Sequence, residues 1–279
     1  MIARLLQAPA FCTFAAGLAA LLLFAGLERG RGEVSARRDT GAKRPVLVEL
    51  FTSEGCSSCP PADTLLKELS EGQPLEGVQV VALEEHVDYW NHLGWTDPFS
   101  SKEFSNRQSD YARLFGNDGV YTPQMIVDGQ RELVGGHSLS AREAIYKAAN
   151  FPKLTISLQP AASANPKEAV LQLGIENPDG VSLRGGLELW LGVTEKNLQS
   201  DVKAGENSGE ILKHAPVVRS LRKLELLAKA AGYRNQIQLA LDPGWKTKNL
   251  AVVVFLSEQG SRQIVGVGTA SLSSSSAEK

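Results

Sequence analysis

The chain has 279 residues, of which 43% are hydrophobic, 22% charged and only 6% aromatic. With 29 Lys and Arg against 31 Asp and Glu, its formal charge is −2, so it holds no attraction for a polyanion and nucleic-acid binding is excluded as a first reading. The apolar content rules out wholesale disorder, and three cysteines are too few for a disulfide framework.

Arg4 precedes an apolar run from Ala8 to Leu27, after which Glu28, Arg29, Arg31, Glu33, Arg37 and Arg38 crowd together. A basic start, an apolar core and the small-residue stretch Val34-Ser35-Ala36 are the pattern of a secretory signal. About 20 apolar residues also suffice to span a bilayer, so residues 1–36 are either a cleaved signal or a retained anchor. Both readings export the body of the protein, to a periplasmic or secreted location where a dithiol can be oxidised and stay so. Membrane contact is expected only if residues 8–27 are retained.

From Lys43 to about Asn150 strands and helices alternate. Val46 to Phe51 is a β-rich run, Ala62 to Leu69 has helical spacing, and Val78 to Leu83 is a second strand apolar enough to be buried on both faces. Ser100 and Glu103 form a capping box for a helix that Gly116 stops. Gln124 to Val127 is a third strand, Asp128-Gly129 a hairpin turn, and Arg131 to Val134 the return strand. Ser140 and Glu143 cap a last helix through Ala149. After Pro152 the texture changes to six or seven short strands up to residue 271, separated by turns such as Asn177-Pro178-Asp179-Gly180. Val217 to Leu227 suits a helix by its leucine spacing and a strand by its opening valines. The expected architecture is therefore an α/β domain with a mixed central sheet over 43–150, an all-β sandwich-like domain over 151–271, and a serine-rich tail over 272–279.

Chemistry concentrates in Cys56-Ser57-Ser58-Cys59, between a strand and a helix. The helix N-terminus offers unpaired N–H groups and the positive end of a dipole, and both favour a thiolate. Cys56 would be the more exposed nucleophile, and Cys59, three residues on, would resolve the mixed disulfide. Pro60 and Pro61 follow at once and are expected to delay the helix start slightly. Glu49, in an otherwise apolar strand, is a candidate acceptor for the Cys59 proton. The stretch Glu84 to Phe99 begins at a strand end, where α/β sheets place their sites, and holds His86, Asp88, Trp90 and Trp95 as candidate substrate-binding residues. His86 and Asp88, two apart, would share a face if extended. His214 and Arg219, remote in sequence, are read as sheet-corner hydrogen-bonding residues.

The order strand, CxxC, helix, strand, then Thr122-Pro123 before a hairpin and a final helix resembles the thioredoxin superfamily. That resemblance implies a cis proline at Pro123 and a substrate-facing wall at Thr122-Pro123. The superfamily has an acid six residues ahead of its dithiol, where Glu49 here stands seven ahead. Phe51 to Asp63, Glu84 to Phe99, Gly205-Glu206-Asn207 and His214 to Arg219 are together similar to the secreted thioredoxin-like proteins of domain-of-unknown-function family 1223. The likeness covers about residues 45–270 and implies no particular substrate.

Three functions compete. The first is an exported thiol–disulfide oxidoreductase, with Cys56 and Cys59 as its only redox group, acting with a protein or small-thiol substrate and a separate redox partner. The second is a metal carrier in which Cys56, Cys59 and His86 hold Cu(I). The third is a non-catalytic binding or assembly protein whose Cys56–Cys59 bond is a permanent clip.

Overall fold

The computed structural model describes residues 43–165 and 167–273. The expected signal or anchor over 1–36 lies outside the described residues, as does the tail from 274 on. No helix among the described residues is long and apolar enough to cross a membrane.

In chain order, β1 (Arg44–Thr52), α1 (Pro60–Gly72), β2 (Val78–His86), α2 (Lys102–Phe115), β3 (Gln124–Val127), β4 (Arg131–Val134) and α3 (Ser138–Ala149) form the first half. The second half is β5 (Leu154–Ala161), β6 (Glu168–Glu176), β7 (Leu187–Glu195), β8 (Gln199–Asp201), β9 (Ile211–Lys213), β10 (Val217–Leu227), β11 (Tyr233–Ala240), β12 (Leu250–Glu258) and β13 (Ile264–Ser271). β1 and β2 run parallel from Arg44↔Val78 to Thr52↔His86, which suits two apolar strands covered on both faces. Val46, Val48 and Leu50 of β1 pack with Leu65, Leu66 and Leu69 of α1, whereas Leu47 packs with Phe104 of α2 and Phe255 of β12. This alternation assigns successive residues of β1 to opposite sides of the sheet.

The expectation of an α/β thioredoxin-like domain followed by a separate sandwich is overturned. One eleven-stranded mixed sheet runs through both halves in the order β11-β6-β5-β13-β12-β7-β10-β2-β1-β3-β4, with β8 and β9 as a detached ribbon. The junction is β10, which lies antiparallel to β7 and starts parallel to β2 at Val217↔Glu84. Pairing with β7 also decides Val217–Leu227 in favour of a strand, and two register shifts in that pairing interrupt its alternation. A second junction is the β3–β4 hairpin. Its turn uses Asp128 (φ 48°) and Gly129 (φ 68°), as the Asp-Gly pair predicts. A Cβ on Gly129 would stand 2.1 Å from the carbonyl oxygen of Arg262, and Ile264 N–H donates to the Asp128 carbonyl at 3.0 Å. The turn is thus pressed against the β12–β13 connection.

Helix starts differ by a residue or two from the sequence reading. Ser101, not Ser100, caps α2 by accepting from Glu103 N–H, because the Ser100 hydroxyl is taken by Asn91 and the Asp97 carbonyl. α3 begins at Ser138, ahead of the expected Ser140 cap. α1 begins directly after Cys59 with proline in its first turn, where a missing N–H costs nothing.

Candidate functional site

Cys56 and Cys59 are joined by a disulfide with their α-carbons 5.5 Å apart. Cys59 occupies the N-cap of α1, and its carbonyl accepts from the N–H groups of Ala62 (2.8 Å) and Asp63 (3.2 Å). Ser57 and Ser58 are exposed, but both cysteines are fully buried, which corrects the expectation of an exposed Cys56. The turn that carries Cys56 is clasped by the loop between β8 and β9. Asn207 Nδ2 donates to the carbonyls of Glu54 (2.8 Å) and Cys56 (3.0 Å). Glu206 Oε2 accepts from Ser57 N–H (3.1 Å) and Ser57 Oγ–H (2.7 Å), contacts that hold its carboxyl below its usual range. Gly205 (φ 78°) comes so close that a Cβ would lie 3.2 Å from Trp95 Cβ.

The peptide bond between Thr122 and Pro123 is cis. Trp90 links it to the dithiol turn, because its Nε1–H donates to Thr122 Oγ1 at 2.8 Å and its Cβ would be 3.2 Å from a Cβ on Gly55. A Cβ on Gly135 would meet Ala62 at 2.9 Å and Pro123 at 3.2 Å, so the proline sits close to the first turn of α1. Cys56, Cys59, Thr122, Pro123, Trp90 and Trp95 therefore gather in one region.

Glu49 and Asp88 do not join them. Glu49 points to the α2 side of the sheet, away from α1. There its Oε1 accepts from Arg107 Nε–H (2.5 Å) and its Oε2 from Tyr111 O–H (2.6 Å). It is saturated and not directed at Cys59. Asp88 turns to α2, where it accepts from Ser105 Oγ–H (2.5 Å). The chain leaves its strand at His86, so His86 and Asp88 lose the shared face that an extended backbone would give them.

The carboxylate that meets His86 is Asp97, whose Oδ2 lies 2.7 Å from His86 Nδ1 and also accepts from Glu54 N–H at 2.9 Å. Burial works against a charged imidazole, yet Asp97 and Glu84 outweigh it and raise His86 well above its ordinary pKa. Asp97 is held low in turn, the imidazole overcoming the penalty of burial. His214 enters from the connection between β9 and β10, with its ring 5.0 Å from that of His86 and Phe99 edge-on to both. Its Nε2 is 3.0 Å from Glu54 Oε1, and Trp95 Nε1–H donates to Glu54 Oε2 at 2.7 Å. Burial disfavours its charge, but Glu54 and Glu84 push its pKa up to about 9. Asp63, whose Oδ1 accepts from Thr52 O–H, is raised to about 7 by burial and by the nearby Glu84.

His86 directs its ring nitrogens at Asp97 and at the Glu84–His214 pair. Sequence reading missed Glu84, Glu54, Asp97 and above all His214 as site residues. Two consecutive glutamates in an apolar strand were the signal for the first. The His214 to Arg219 motif was the signal for His214, and Glu54 and Asp97 stand within the Phe51 to Asp63 and Glu84 to Phe99 stretches.

Residues 47–257 match the family described as a protein of unknown function, DUF1223. The chain belongs to this family. A crystal structure of a protein from Agrobacterium tumefaciens is similar to it at 28% identity and a TM-score of 0.62, over 85% of this chain and 98% of that one. HBP35 of Porphyromonas gingivalis shares the fold at 18% identity and a TM-score of 0.56, over 85% of this chain and 79% of that one. No curated protein matches.

Proposed function

We propose that this DUF1223 protein is an exported thiol–disulfide oxidoreductase whose working group is the Cys56–Cys59 pair. The observation that carries the reading is the disulfide's seat at the opening turn of α1, where the positive end of the helix dipole favours a sulfur anion. Export is supported by the basic start and the apolar run 8–27, and by the need for an oxidising compartment.

In the oxidising direction a substrate thiolate attacks Cys56 Sγ. The Cys56–Cys59 bond breaks and Cys59 leaves as a thiolate. A second substrate thiol, losing its proton, attacks the mixed disulfide, releasing a substrate disulfide and leaving two reduced cysteines. Two electrons pass from the substrate dithiol to the protein, and a disulfide-bearing partner takes them back. In the reverse direction Cys56 is the nucleophile and Cys59 the resolving residue. Thr122, Pro123, Trp90 and Trp95 form the surroundings in which a protein or small-thiol substrate would be held. Because Cys56 is covered, the Glu206 and Asn207 contacts to residues 54–57 must open for this chemistry.

A second reading is favoured by that same burial: a permanent clip between β1 and α1. Equilibration with glutathione separates the two. A potential above about −300 mV, with reduced Cys56 alkylated faster than a model thiol at about pH 6–7, supports the oxidoreductase. A potential below about −300 mV leaves only the clip.

A further inference from the structure

β2 carries Glu84 and His86 two residues apart, so both side chains project from one face of the sheet. The pairing Val217↔Glu84, with Glu84 N–H donating to the Pro216 carbonyl at 3.1 Å, brings His214 to the same place. All three residues are buried, at 0–1% exposure. Their facing atoms are Glu84 Oε1 and Oε2, His86 Nε2 and His214 Nδ1, and among the described residues none of these atoms has a hydrogen-bond partner. Four unsatisfied polar atoms converging in a protein interior require an explanation.

The distances supply one. Glu84 Oε1 lies 3.7 Å from His86 Nε2 and 3.5 Å from His214 Nδ1, and one donor atom from each residue lies within 4.8 Å of the other two. These separations are long for hydrogen bonds. They lie close to the spacing of about 3.3–3.6 Å between ligands that share one tetrahedral ion at about 2.0–2.2 Å. The remote nitrogen of each imidazole is held by a carboxylate, His86 Nδ1 by Asp97 and His214 Nε2 by Glu54. This is the outer shell that fixes metal-bound histidines. Both carboxylates are themselves anchored, Asp97 by the N–H groups of Glu54 and Phe99 and Glu54 by Trp95.

We propose that Glu84, His86 and His214 form a binding site for a divalent first-row transition-metal ion, with Zn²⁺ the best match to two imidazoles and one carboxylate. The donor set contains no sulfur, so it does not select Cu(I). Three protein ligands leave a fourth position for water or an external ligand. The charge balance agrees. Glu84, Asp97 and Glu54 bring three carboxylates to this spot, and no Lys or Arg among the described residues pairs with any of them. A divalent ion would supply the positive charge that these carboxylates lack. The site is independent of the disulfide, so it stands or falls apart from the thiol reading.

The test uses the full chain with its disulfide intact, stripped with EDTA and then freed of it. Titration with Zn²⁺ is expected to give one ion per chain. Co²⁺ is expected to give a four-coordinate absorption spectrum without a thiolate charge-transfer band. Glu84→Gln and His214→Gln should each lose more affinity than Asp97→Asn, whose loss should be about 10–100-fold. The double variant Cys56→Ser, Cys59→Ser should bind as the parent does. Failure of the parent chain to bind either ion at this stoichiometry overturns the proposal. So does a thiolate band in the Co²⁺ spectrum, or unchanged affinity in both Glu84→Gln and His214→Gln. The parent spectrum decides even if a variant does not fold.

Discussion

Glu84 and Glu85 are neighbours on one central strand, and the sheet sends their carboxylates to opposite sides, both at 0% exposure. On the Glu85 side the chain supplies its own cation. Arg107 bonds Glu49, approaches Glu85 at 3.7 Å, and has its guanidinium 4.9 Å from the Trp190 ring centroid and 5.3 Å from that of Tyr111. Burial, with Glu49 beside it, raises Glu85 well above the usual carboxylate range. On the Glu84 side no Lys or Arg among the described residues pairs with Glu84, Glu54 or Asp97, whose ion-pair contacts are two imidazoles. A guanidinium cannot leave its face, whereas imidazole protons can be exchanged for a metal ion. One side of β2 carries a cation fixed in the chain, and the other leaves that place to something that comes and goes.

Removing the fixed cation should have the largest effect. Arg107→Met strands the Glu49 carboxylate in the interior and should cost about 3–5 kcal/mol, read from urea unfolding midpoints. A loss below about 1 kcal/mol would mean that Glu49 does not depend on Arg107. On the opposite side stability should follow the metal. Zn²⁺ at a hundredfold excess over its dissociation constant should add about 2.7 kcal/mol, EDTA should reverse the gain, and Glu84→Gln should abolish it. Tyr111→Phe removes one charge-assisted hydrogen bond from Glu49 and should cost about 1.5–3 kcal/mol by the same unfolding measurement, without altering the response to Zn²⁺. The smallest stability effect belongs to the clasp. Glu206→Ala should leave thermal unfolding unchanged and speed reduction of the Cys56–Cys59 bond by a small-molecule dithiol, followed by a thiol assay. An unchanged reduction rate would show that the clasp does not guard the sulfurs.

Local features were legible because local chemistry decides them. The apolar runs of β1 and β2, the Asp128-Gly129 turn and the CxxC between strand and helix all read directly from neighbouring residues. The continuous sheet was not legible, since the union of the halves rests on the Val217↔Glu84 pairing of segments more than a hundred residues apart. His214 was read only as a hydrogen-bonding residue for that reason: nothing near it in sequence hints at Glu84. Glu49 could have been assigned correctly by counting faces, because it alternates with Val48 and Leu50, which pack on α1. Asp97 displaced Asp88 as the partner of His86 because the chain turns back after residue 86, which a strict two-residue periodicity cannot anticipate.

The clasp and His214 both arrive late on the polypeptide, from residues 205–214, while the dithiol turn and β2 are finished by residue 86. Neither centre can therefore be complete on a nascent chain until well over a hundred further residues have been made. A fragment ending at Asn150 would carry both cysteines yet present them without Glu206, Asn207 or His214. Its reactivity would be that of an unguarded dithiol, and only the intact polypeptide reports on the protein that evolved.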